Sequence, residues 1–197
     1  MSNPAFTSVC IEGDRREVRS LYGKMMRLQE REKPLVENGY FYPTRWLGNL
    51  VVRLGADWRE VTSRGTWDFL GMENGHLFFM TQTAWNPPYE LFHLILQRFP
   101  GLHVYFEAEG DDWDSYLTND GEGRYFTSRY VIDAEPDVEY FDTIAEARTH
   151  LEAIVGRPLA EDWHALYEAA EEWNVQHPVA NWPICVKRFE VLEDGEW

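Results

Sequence analysis

The sequence predicts an α+β protein in which an antiparallel sheet carries its helices on one face. Three observations lead there. Residues 65–85 read as two strands joined by Asn74-Gly75, the dipeptide that best fits a tight hairpin turn. Residues 102–107 alternate Leu102, Val104 and Phe106 with His103, Tyr105 and Glu107, the period of a half-buried strand. Amphipathic stretches of helical period lie on either side of the hairpin.

Taken in order, residues 5–12, "AFTSVCIE", are short, apolar and partly β-branched, and predict a first strand. Asp14 then supplies an N-cap and Glu17 a box partner three residues on. Val18, Leu21, Tyr22, Met25 and Leu28 keep helical spacing to about Arg31. Pro34 and "ENGYFYPT" break that pattern, and "RWLGNLVVRLG" predicts a short second helix closed by Gly55. In the second hairpin strand Leu77, Phe79, Thr81, Thr83 and Trp85 face one way, and Phe78, Met80, Gln82 and Ala84 the other. Apolar character on both faces places this strand inside a sheet. Asn86 reads as the next N-cap and Pro87 as the first helical residue, with Leu91, Phe92, Ile95, Leu96 and Phe99 inward and Pro100-Gly101 as the stop. The order β-α-(short α)-β-β-α-β is that of a ferredoxin-like βαββαβ core with an insertion, over residues 1–110.

Residues 111–197 read as an α/β extension packed on that core in a single compact domain. "WDSYLT" and "RYFTSRYVIDA" flank the turn-rich "NDGEG" and predict a hairpin that extends the sheet, with "VEYF" a further strand. Thr143 caps a helix to about Val155, and Asp162 opens another to about Gln176, its inner side drawn from Trp163, Leu166, Tyr167, Ala170 and Trp173. "WPICVKRFEVLE" closes the chain as a strand.

Three of these segments together resemble the YubB-type ferredoxin-like domain family, known mainly from plasmid- and phage-encoded proteins. They are Gly65-Thr66-Trp67-Asp68 in "RGTWDFLG", Trp85-Asn86-Pro87-Pro88 in "TAWNPP", and the acidic end Glu107 to Gly110 of "FPGLHVYFEAEG". The first lacks the family's lysine, the second has asparagine for its serine, and Cys10 is a loose counterpart of its Asn-Trp-Cys opening. The resemblance spans residues 47–125 and implies the fold and a mobile-element context, without naming a reaction.

Charge narrows the partners. The formal net charge is −16; residues 1–60 carry ten basic and eight acidic side chains, residues 61–197 eight and 26. Nucleic-acid binding draws its affinity from lysine and arginine, so direct contact with phosphate is not expected. The absence of RNP1-type basic and glycine residues argues against an RNA-reading sheet, although its element order is the same. No apolar run reaches the length of a membrane helix, and "MSNPAFTSVCIEGD" has neither the basic nor the apolar region of a signal peptide. Cys10 and Cys185 sit in apolar segments and read as buried thiols of a cytoplasmic protein.

No catalytic or cofactor motif stands out. GxSxG, P-loop and dinucleotide-binding glycine patterns are absent. The six histidines, His76, His93, His103, His150, His164 and His177, show no metal-ligand spacing. "DDWDSYLTNDGE" fails the EF-hand order because Tyr116 stands where a ligand oxygen is required. No cofactor or metal is therefore expected. Two candidate sites remain. Glu107, Glu109, Asp111, Asp112, Asp114, Asp120 and Glu122 form an acidic surface suited to a basic protein partner, and Trp67, Asp68, His103, Tyr105, Trp113 and Tyr116 line an aromatic and carboxylate pocket between the sheet and the extension. The first site predicts a non-enzymatic binding module, a decoy or inhibitor docking on a basic, nucleic-acid-binding surface. The second predicts an enzyme or ligand-binding domain, with Glu107 and Asp68 the carboxylates placed for acid–base work. Self-association is a third alternative.

Overall fold

The computed structural model describes residues 4–37, 43–110, 115–134, 136–178, 182–193 and 195–197. The chain forms two compact units, Met1–Asn119 with Leu192–Trp197, and Asp120–Val191. Among the described residues the fold is α+β: five helices and two antiparallel sheets.

In the first unit β1 (Pro4–Gly13), β2 (Gly65–Glu73), β3 (His76–Ala84), β4 (Leu102–Gly110) and β5 (Tyr116–Thr118) run in the spatial order β2-β3-β1-β4-β5. The period-2 pattern of the sequence becomes two faces. Val9 pairs with Phe79 on one side and Phe106 on the other, and Ile11 with Leu77 and Val104. All six are buried and pack under α1 (Arg15–Gln29), α2 (Leu47–Arg53) and α3 (Tyr89–Arg98). Each helix brings the apolar stripe its spacing predicts: Val18, Leu21, Met25 and Leu28 from α1, and Leu91, Phe92 and Ile95 from α3.

The local signals act with one substitution of role. Asp14 caps α1 by accepting from the backbone N–H of Arg16 and Glu17, at 2.9 and 3.0 Å. Glu17 does not complete a box. Its carboxylate accepts instead from the N–H of Gly101, at 2.9 Å, and ties α1 to the turn before β4. Asn74 and Gly75 both take positive φ, the geometry of the tight hairpin turn.

The joint before α3 differs from expectation. The helix starts at Tyr89, its N-cap position is Pro88 without a side-chain bond, and the backbone carbonyl of Asn86 accepts from Thr83 Oγ1 at 2.7 Å. Trp85 does not continue the inner face of β3. Its φ of 76° turns the side chain outward, to 60% exposure.

The expected hairpin beyond β4 does not form. Tyr116–Thr118 pairs with Glu107–Glu109 as β5, and Asn119 prolongs the contact through its side chain, which accepts from Phe106 N–H at 2.7 Å and donates to the Val104 carbonyl at 2.8 Å. The first unit therefore reaches Asn119, past the expected limit at residue 110. In the second unit β6 (Tyr130–Ala134) is the middle strand of a separate sheet, order β7-β6-β8, with β7 (Asp137–Phe141) and β8 (Cys185–Arg188) beside it. Its helices are α4 (Ile144–Val155), capped by a Thr143–Glu146 box and ended by Gly156 in the left-handed region, and α5 (Trp163–Gln176), capped by Asp162. Ala147, Leu151, Leu166 and Ala170 pack on Ile132 and Val186, whereas Tyr167, expected inward, is exposed. The final predicted strand divides into β8 and the short β9 (Glu190–Val191).

Asn49 shows how the insertion between α1 and β2 is held. Buried on α2, it accepts from the N–H groups of Leu35 and Val36 and donates to the carbonyls of Pro43 and Thr44, at 3.0 to 3.2 Å. Asn49→Ala strands four backbone groups, one buried and three part-buried, and urea denaturation should show a loss of about 3 kcal/mol. A loss below about 0.5 kcal/mol, the level of an ordinary surface substitution, would show that these bonds do not anchor the segment.

Candidate functional site

The strands of the first unit present a second face, opposite the helices. Backbone pairing arranges its side chains in four cross-strand rows. One holds Thr66, Gln82, Phe6, Glu109 and Tyr116; the next Asp68, Met80, Ser8, Glu107 and Thr118. The third contains Gly71, Phe78, Cys10 and Tyr105, and the fourth brings Glu73 and His76 into line with Glu12 and His103. The five strands carry Glu12, Asp68, Glu73, Glu107 and Glu109 and not one lysine or arginine. Phe6 and Met80 are exposed among them, while Phe78 and Tyr105 are half-buried. Cys10, Tyr116 and Thr118 on the same face are buried.

The sequence-predicted residues fall on both sides of this sheet. Trp67 is wholly buried in the helix-covered core, so it shares no pocket with Asp68, His103 and Tyr105, which lie on the other face. Alternation forces that split, because adjacent strand residues point to opposite faces. Asp68 is ion-paired with Arg45. His103 is exposed opposite Glu12, Tyr105 lies opposite Cys10, and Tyr116 is buried beside Glu109. Glu107 and Glu109 share the open face, two residues apart on β4. Asp111, Asp112, Trp113 and Asp114 lie outside the described residues. Glu122 is exposed and belongs to the second unit.

Asp120 leaves the acidic surface altogether. It is 1% exposed, and its carboxylate accepts from the N–H groups of Arg124, Tyr125 and Phe126, at 3.0, 2.6 and 2.9 Å. These bonds fold "NDGEG" into a closed loop rather than a hairpin turn. Burial pushes the Asp120 pKa up, yet the three N–H groups and the nearby Arg129 guanidinium outweigh it and hold the group below the usual carboxylate value.

The sequence reading put Phe78 and Met80 on one strand face without assigning them or Phe6 to a site, and it missed the bulge beside them. Pairing of β2 with β3 shifts between Asp68 and Gly71, and Phe69, at φ 52°, is 81% exposed at the sheet edge. Gly71, a lone glycine inside a strand pattern, was the available signal. An open groove of about 1300 Å³ adjoins this face at Thr66 and Gln82 and is lined in part by Trp46, Trp58, Arg59 and Arg64. None of the residues expected in a pocket is among its described lining.

Neither Cys10 nor Cys185 forms a disulfide. Among the described residues, no group of three or more His, Cys, Asp or Glu is gathered to hold a metal ion, and no helix is long and apolar enough to cross a membrane.

These features define an α+β protein with an acidic sheet face. No protein-family model matches the chain, and no curated protein matches it. A solved structure described as the crystal structure of an unknown protein from Galdieria sulphuraria is similar over 96% of this chain and 99% of that chain, at 10% identity and a TM-score of 0.26. A likeness of that degree carries no argument about fold or function.

Asp120 yields a prediction with a definite sign. Its folded pKa is lowered, so the stability it contributes is complete above the unfolded carboxylate value of about 3.9 and is lost as pH falls toward the lower folded value. Asp120→Asn should destabilise the second unit by about 2 kcal/mol at neutral pH and flatten its loss of stability on acidification. Parallel acid titrations of the two proteins, followed by near-ultraviolet circular dichroism, would refute this reading if the curves coincided.

Proposed function

We infer that the chain is a non-enzymatic binding module. Its open sheet face docks on a basic protein surface of the kind that otherwise binds nucleic acid, so that it acts as a decoy or inhibitor. One observation carries this reading: five strands bring five carboxylates and no lysine or arginine to a single sheet, beside exposed Phe6 and Met80. Carboxylates held at strand spacing imitate a phosphate array in sign, and the exposed apolar pair supplies area that electrostatics alone does not. We read the first unit as a YubB-type ferredoxin-like domain. The order β2-β3-β1-β4, with α1 and α3 as crossovers, supports that reading, and β5 is an addition to it.

The reading predicts a partner retained on the immobilised protein at low salt and released at about 1 M salt, where screening acts within about 3 Å. Glu107→Lys with Glu109→Lys should abolish retention without altering the circular dichroism spectrum. The captured protein should lose nucleic acid binding when this chain is added. Retention unaffected by both salt and charge reversal would remove the proposal.

The groove favours a second reading, small-ligand binding. The Trp46 and Trp58 rings meet edge to face at 5.3 Å, and the Arg59 guanidinium lies 5.0 Å over the Trp58 ring. A small anionic aromatic compound entering there should quench fluorescence that Trp58→Phe removes. Equal quenching of the variant would place the compound elsewhere.

A further inference from the structure

The second unit offers a sheet edge whose charged side chains are both acidic. Edge strands expose unpaired backbone groups, and proteins commonly blunt them with a bulge, a lysine or a proline. At the edge of the first unit's sheet, β2 has the Phe69 bulge and an isolated bridge from Trp46 to Thr66. In the second sheet the edge strand β8 carries Lys187 and Arg188. The other edge, β7, has the sequence Asp137-Val138-Glu139-Tyr140-Phe141, with no lysine and no proline. Its register with β6 is uninterrupted, from Tyr130 opposite Phe141 to Ala134 opposite Asp137, and its first four residues are exposed.

The two faces of this edge differ in character. Asp137 and Glu139 point to the side of Ile132, the helix-covered side, but lie out in solvent beyond the core. Val138 and Tyr140 point the other way and are 37% and 42% exposed. Acid and apolar groups therefore alternate over residues 137–140.

We propose that β7 is a docking edge for an extended segment of a partner protein in which lysine or arginine alternates with apolar residues. A strand added beside β7 would set its bases next to Asp137 and Glu139 and its apolar side chains next to Val138 and Tyr140. A second copy of β7 fits poorly, because antiparallel self-pairing sets each acid against another acid or against an apolar neighbour, never against a base. The sign of the partner's charge rests on the reading of the chain as a binder of basic proteins; the edge belongs to the second unit and is tested separately from the first unit's face.

The test uses the full chain and a short fluorescein-labelled peptide of alternating lysine and valine, followed by fluorescence anisotropy at low salt. Glu139→Lys should weaken binding by about fivefold or more, while Glu171→Lys, the same charge change at an exposed site on α5, should not. Val138→Lys, a lysine placed on the edge, should also weaken binding and leave the circular dichroism spectrum unchanged. Hydrogen exchange of the β7 amides should slow when the peptide is bound. Equal losses in the Glu139 and Glu171 variants would overturn the proposal, since they would report only the general pull of an acidic chain. Equal affinity for a peptide N-methylated at every residue would overturn it too, because that peptide has no N–H left with which to pair as a strand. If salt-sensitive capture through Glu107 and Glu109 persists while the peptide fails to bind, the edge proposal alone falls.

Discussion

The approach of Gly13 to Gly101 sets the register on which the first unit is built. A Cβ at Gly13 would lie 2.1 Å from the Gly101 carbonyl oxygen, and its φ of +128° is one that side chains disfavour. The next residue, Asp14, donates its N–H to that same carbonyl at 2.9 Å, and Glu17 receives the Gly101 N–H. The end of β1 and the start of β4 are thus locked together at the point where α1 begins. A slip of one residue would exchange the faces, sending Val9 and Ile11 to solvent and Ser8, Cys10 and Glu12 into the helices. The placement of every carboxylate on the open face follows from this lock.

The inner face tolerates an uneven row in return. Trp67, Thr81 and Thr7 lie side by side across three strands, and Trp67 Nε1 and both threonine hydroxyls are buried without a protein partner. Such atoms cost about 1–3 kcal/mol each when left unsatisfied. The surrounding core offsets that cost with large apolar groups, Phe79 among them and Phe92 stacked against Phe106 at 5.5 Å. Threonine keeps the β-branched shape that a strand favours, which explains the residue type even though its hydroxyl gains nothing on this side.

What was legible in the sequence was local. Asn74-Gly75, the Asp14 cap and the Thr143 cap each depend on one or two neighbouring residues, and each stands where its signal placed it. What was not legible depends on distant partners. Trp85 continues the alternation of β3 on paper, but the Ala84 N–H already bonds the Arg64 carbonyl at 3.1 Å and the strand ends there. "NDGEG" has turn composition, yet its aspartate gathers three N–H groups from beyond the turn, so the flanking segments join different sheets. Trp67 and Asp68 are adjacent in the motif that suggested a shared pocket, and strand geometry puts them on opposite faces.

The same reasoning changes what the acidity means. Many carboxylates are occupied by the fold's own backbone: Asp14 and Asp162 cap helices, Glu17 holds Gly101, Glu90 accepts from Thr62, Glu152 from Leu159, and Asp120 closes its loop. Giving any of these to a partner would expose an N–H group that now has an acceptor. The net charge therefore overstates the surface available for recognition. Glu107 and Glu109 on β4, and Asp137 and Glu139 on β7, are positioned instead by the pairing of their backbones, which fixes their spacing at two residues per repeat. A partner that recognises this protein by charge should read that strand repeat, and a partner that responds only to total charge should not distinguish one carboxylate from another.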